Sequence, residues 1–125
     1  MNPEELKQRT KCFALRVMKL VGALPRTAAG RTVAQQLARS GTSVGANYRA
    51  ACKARSRAEF AARMGTVEEE ADESAYWMEL IVEGGLMKEE LVQPLHEEAE
   101  QLAAIAASSR KSAVRGKGRP PAGSV

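Results

Sequence analysis

Apolar residues recur along this chain in steps of three and four, and the pattern breaks at a few clear points. Phe13, Val17, Leu20 and Leu24 fall at i, i+4, i+7 and i+11, with Leu6 one heptad earlier, which marks one face of a helix. The spacing predicts a first helix over residues 4–24. Asn2-Pro3-Glu4-Glu5 supplies a capping amide, a proline suited to a first turn and carboxylates near the positive end of the helix dipole. Lys7, Arg9, Lys11, Arg16 and Lys19 populate the outer face. Pro25 stops the helix, because it has no amide hydrogen and disfavours helical geometry just before it.

A short link over residues 25–30 predicts an antiparallel neighbour. The second helix is expected over about residues 32–54, with Val33, Leu37, Val44, Tyr48 and Ala51 on one face and a gap in the stripe at Gly41. Gly41 and Gly45 each cost about 1 kcal/mol relative to alanine in a helix. Close approach of another helix at these two positions is the expected compensation. Their surroundings are too polar for lipid. Ser56 with Glu59 three residues on reads as a capping box. Phe60, Met64, Val67, Ala71, Ser74, Met78 and Ile81 then alternate in steps of four and three, the clearest period in the chain, until Gly84-Gly85 ends the third helix. A fourth helix over about residues 88–110 carries Leu91, Leu95, Leu102 and Ile105, with Pro94 in its first turns. The closing stretch is rich in Gly, Pro and basic residues and buries too little apolar surface to order itself. The organisation expected is an all-α, antiparallel up-down-up-down four-helix bundle over residues 1–111, followed by a disordered basic tail over 112–125.

Length and composition agree with one small helical domain: 125 residues support a single core, and aromatics are only 4%. No apolar run is long enough to span a bilayer, and the charged N-terminus lacks the apolar core of a secretory signal, so a cytoplasmic protein without membrane contact is expected. Cys12 and Cys52 form no CxxC pair and are expected as buried free thiols.

Charge changes the picture more. The net charge of +4 divides into +10 over residues 1–67, −11 over 68–109 and +5 over 110–125. Opposite halves can attract within one fold or between subunits, and any basic surface left over attracts a polyanion. The basic surface centres on Arg49, Lys53, Arg55, Arg57 and Arg63. Clustered cations suffice for phosphate contacts, and no zinc, helix-turn-helix or stacking-aromatic motif adds base reading. The competing reading is that these cations answer the acidic third helix of the same or a neighbouring subunit.

Other chemistry finds little support. A di-metal bundle centre needs two Glu-x-x-His motifs, but Gln93 precedes the one histidine, His96, which is placed on an exposed turn. Neither metal nor cofactor is expected. Ser40 and Ser43 have no nearby histidine, and no enzyme activity is expected. Asn47 is read as an amide that bonds a neighbouring helix and fixes register, with a ligand contact as the alternative. Tyr48 and Trp77 read as core or interface anchors rather than base-stacking platforms. Glu70 lies near the apolar stripe, where it can pair with Arg39 inside the bundle or across an interface.

The run from Gln35 to Leu86 also resembles the core of the four-helix bundle family that includes the 23S rRNA intervening-sequence proteins. The likeness falls on Gln36, Leu37, Arg39, Ser40, Ser43, Val44, Asn47, Arg55, Ser56, Phe60 and Glu70 and covers about residues 6–111. It implies the up-down-up-down bundle and closed rings of five subunits. A related branch comprises the accessory variability proteins of diversity-generating retroelements, whose pentamers present basic surface to nucleic acid and bind a reverse transcriptase. On this resemblance the chain is expected to be a non-enzymatic homopentamer that binds RNA or DNA, with a reverse transcriptase as a further partner. A protein-interaction scaffold, whose charge asymmetry serves only assembly, is the alternative.

Overall fold

Side-chain caps set where the first three helices begin. In the computed structural model, which describes residues 1–116, α1 runs Pro3–Gly22, α2 Ala28–Cys52, α3 Arg57–Glu83 and α4 Glu89–Val114. Asn2 Oδ1 accepts the Glu5 amide at 2.8 Å, as an N-cap does. α2 starts four residues earlier than the expected residue 32, because Thr27 Oγ1 accepts the Gly30 amide at 3.1 Å and fixes the first turn there. Ser56 Oγ accepts the Glu59 amide at 3.0 Å, while the Glu59 carboxylate reaches back to the amide of Arg55 rather than to that of the cap.

The stops differ more from expectation. α1 ends at Gly22, three residues before Pro25, and its last turn tightens as Ala23 and Leu24 donate to Leu20 and Val21. Leu24 lies outside the helix yet is buried. α3 closes with Gly85 at φ +70°, the Gly85 amide on the Val82 carbonyl and the Leu86 amide on that of Ile81. That pairing satisfies two end carbonyls and needs a residue free to take positive φ. α4 continues to Val114, past the expected limit of the bundle at residue 111, and Ala113 is buried. Of the expected tail 112–125, residues 117–125 lie outside the described residues.

The four helices, and no strands among the described residues, pack with alternating direction through short connections at 23–27, 53–56 and 84–88. Each packs mainly on its chain neighbour, α3 against α4 most extensively; α1 meets α4 along a short seam, and its backbone does not come close to that of α3. The core holds Phe13 and Val17 from α1, Leu37, Val44 and Tyr48 from α2, Phe60, Met64, Met78 and Ile81 from α3, and Leu95 and Leu102 from α4. On α4 the stripe is turned from the expected one. Val92, Leu95, Ala99, Leu102 and Ala106 are buried, whereas Leu91 is 64% exposed.

Small residues let helices come close. A Cβ placed on Gly41 would lie 2.7 Å from Val17 Cγ1, and one on Gly45 3.1 Å from Thr10 Oγ1. Between α2 and α3 the buried hydroxyls of Ser74 and Ser40 meet at 2.9 Å, and each also lies on a carbonyl of its own helix, Glu70 and Leu37 respectively. Their polar atoms are thereby satisfied in the core, where an unpaired hydroxyl would be costly. Cys52 is buried, but Cys12 is exposed, contrary to expectation; both are free thiols. No helix among the described residues is long and apolar enough to cross a membrane.

Candidate functional site

The antiparallel topology brings the end of α2, the 53–56 turn and the start of α3 to one end of the bundle. Arg49, Lys53, Arg55, Arg57 and Arg63 are all exposed there. Arg49, Lys53, Arg55 and Arg63 stand in no ion pair among the described residues. A groove of about 500 Å³ between α1 and α2 runs beside them, with Lys7, Lys11 and Arg49 along it, Glu4 at its edge and Gly45 and Ala46 in its lining. Lys7 and Lys11 join the cluster only through the packing of α1 on α2, so spacing along the chain did not reveal them.

The arginines that do find carboxylates lie elsewhere. Arg9 binds Glu98 across the α1–α4 seam with Nε–Oε2 at 2.7 Å and Nη2–Oε1 at 2.8 Å. Arg110 Nε meets Glu68 Oε1 at 2.9 Å. Arg39 Nη1 lies 3.1 Å from Glu70 Oε2, and its other terminal nitrogen binds Glu73. Arg39 and Glu70 are therefore paired within one chain. Partly exposed pairs of this kind add little to stability, but they remove these charges from the surface field.

The Glu73 carboxylate has two partners that favour its charged form. The Trp77 indole N–H donates to its Oε2 at 3.0 Å. That bond, with Arg39 second, holds the Glu73 pKa below its ordinary value against a desolvation that pushes it up. A lowered folded-state pKa contributes stability above the unfolded value and loses it as pH falls through the folded one. Trp77 is the sole tryptophan. Its fluorescence should therefore change below about pH 4.3, the ordinary Glu range, before global unfolding; Glu73→Gln should abolish that early step. An unchanged titration in that variant would detach the signal from this carboxylate.

The remaining candidates fall in plainer places. Tyr48 is buried in the core and Trp77 packs half-buried against it, its ring 5.2 Å from that of Tyr76. Asn47 Nδ2 donates to the Ser43 carbonyl of its own helix at 2.9 Å, so the expected cross-helix bond is not formed. His96 sits within α4 rather than on an exposed turn, with Nε2 2.8 Å from Glu79 Oε2. No group of three or more His, Cys, Asp and Glu among the described residues is arranged to hold a metal ion. What the arrangement offers chemically is a basic end able to neutralise phosphate.

Residues 4–108 match the family model of the 23S rRNA-intervening sequence protein. A crystal structure from Bacteroides thetaiotaomicron, described as a protein with unknown function from the S23 ribosomal protein family, aligns at 30% identity with a TM-score of 0.78. The alignment covers 84% of this chain and 97% of that one. No curated protein matches the chain.

Proposed function

We propose that this chain, which belongs to the 23S rRNA-intervening sequence protein family, is a cytoplasmic, non-enzymatic homo-oligomer that binds RNA or DNA through the basic end of its bundle. One observation carries the reading. Arg49, Lys53, Arg55 and Arg63 are exposed together and stand in no ion pair among the described residues, although the chain holds many carboxylates. Cations gathered without internal partners attract a polyanion, with strong salt dependence and little sequence preference.

A ring of five is the proposed assembly, since several copies of a weak patch acting together raise avidity. Support comes from two faces of opposite sign. On α1, Leu15 (58% exposed) and Met18 (55% exposed) lie among Lys11 and Lys19; on α3, Tyr76 (52% exposed) lies among Glu69, Asp72 and Glu83. Both faces are exposed on the single chain, so one copy can offer its basic apolar face to the acidic apolar face of the next. Contact between two different faces closes a ring when the rotation permits. A reverse transcriptase is proposed as a further partner on the resemblance alone, and co-purification tests it.

Light scattering after size exclusion is expected to give about five times the 13.5 kDa chain mass. The same oligomer should retard labelled RNA or DNA at low salt and release it as salt rises. A monomer overturns the ring. An intact oligomer that shifts no probe at low salt overturns nucleic-acid binding and leaves the scaffold reading.

A further inference from the structure

We infer that Lys111 and Arg115, at the far end of the sequence, belong to the same polyanion-binding surface as the α2–α3 turn. This rests on the nucleic-acid reading above and extends it to an element that the clustered residues do not include.

The register of α4 on α3 carries the inference. The Arg110 stem lies against Gly65, where an added Cβ would be 3.5 Å from Arg110 Cδ, and its guanidinium is held by Glu68 at 2.9 Å. These contacts, with Ala113 buried, place the last turn of α4 beside the first turns of α3. The antiparallel packing therefore brings Lys111 and Arg115 to the end that holds Lys53, Arg55, Arg57 and Arg63. Lys111 and Arg115 are exposed and stand in no ion pair among the described residues.

Several carboxylates near this end have partners, while Glu69, beside Glu68, is exposed. Glu68 is on Arg110, the Glu59 carboxylate on the Arg55 amide, Glu5 on Asn2, and Glu4 on Lys7 at 3.5 Å. None of these carboxylates is paired with Lys111 or Arg115 among the described residues. A purely structural role exists for them, since basic groups near a helix C-terminus offset its negative dipole end. That role acts on stability. A phosphate contact also acts on the salt dependence of binding, and this difference separates the two.

The test compares the full chain with Lys111→Gln/Arg115→Gln and with Arg26→Gln/Lys88→Gln, which removes the same charge from the opposite end. The probes are a labelled single-stranded RNA and a duplex DNA, titrated across a salt series, with oligomeric mass and melting temperature recorded for each variant. For Lys111→Gln/Arg115→Gln, the slope of log affinity against log salt should shrink by roughly 1.4–1.8 per bound protomer, at about 0.7–0.9 for each lost phosphate contact. The opposite-end pair should leave the slope unchanged. Equal slopes for parent and Lys111→Gln/Arg115→Gln, with or without a lowered melting temperature, overturn the inference while nucleic-acid binding stands. Equal losses in both double variants also overturn it, because net charge then explains the effect. A parent that binds neither probe overturns the underlying reading, and the inference with it.

Discussion

Changing Lys53, Arg55 and Arg63 together to glutamine should weaken binding of single-stranded RNA by about a hundredfold near 0.15 M salt and reduce the salt slope by about 2–3. Each side chain is exposed and in no ion pair among the described residues. Surface substitutions of this kind usually alter stability by no more than about 0.5 kcal/mol, so melting temperature and oligomeric mass should hold. The hydrogen bond at Arg55 is made by its backbone amide and survives the change. Near 1 M salt the difference between parent and variant should vanish, because counterion release then contributes little. If the variant binds like the parent across the series, the turn is not the contact surface. Arg49 is kept out of this set because it lines the α1–α2 groove with Lys7 and Lys11 and tests that groove separately.

Gly41→Ala should destabilise the bundle by about 1–2 kcal/mol, even though alanine is the better helix former by about 1 kcal/mol. The added methyl would meet three atoms of one branched, fully buried side chain: Val17 Cγ1 at 2.7 Å, Cγ2 at 2.8 Å and Cβ at 3.1 Å. A β-branched side chain has few rotamers into which it can retreat. Gly45→Ala is a gentler case, with Thr10 Oγ1 at 3.1 Å and Thr10 Cβ at 3.3 Å, and should come out near neutral. Val17→Ala by itself leaves a cavity. Combined with Gly41→Ala it should cost less than the sum of the two, with a coupling of about 0.5–3 kcal/mol. Denaturant unfolding measures all four values. A stabilising Gly41→Ala, or strict additivity with Val17→Ala, would show that α1 does not bear on that glycine.

α3 was legible because its period is unambiguous: Phe60, Met64, Val67, Ala71, Ser74, Met78 and Ile81 are all buried. Even Ser74 belongs there, since Ser40 receives its hydroxyl across the helix pair. α4 was read one position off. Two stripes share Leu95 and Leu102; Ile105 does pack partly buried against the core, but the large exposed Leu91 points to the wrong stripe. The buried stripe runs through Ala99 and Ala106, where short side chains let α4 close on α3. Single-residue hydrophobicity carries no information about that closeness. Thr27 carried a cap signal in plain view, but the pull of Pro25 and Gly30 as loop markers outweighed it.

At the candidate site, the turn cluster was visible because its members are near one another in sequence. Lys7 and Lys11 were not, since they depend on how α1 lies on α2. Arg9–Glu98 and Arg110–Glu68 were equally hidden, for no local spacing foretells which of several carboxylates a distant arginine meets. Asn47 shows the reverse error. Its amide has a partner four residues back on its own helix, a local option that needs no neighbour.

The preference of each helix for its chain neighbour has a kinetic consequence. Contacts between adjacent helices joined by short turns close small loops, so little chain entropy is lost before packing repays it. Helical bundles with this economy of contact order fold in about microseconds to milliseconds. The α1–α4 seam is the exception, joining residues far apart in sequence such as Arg9 and Glu98. It is thus the contact expected to form last on the way in and to open first on the way out, leaving the α1–α2, α2–α3 and α3–α4 pairings as the part of the molecule that the seam completes.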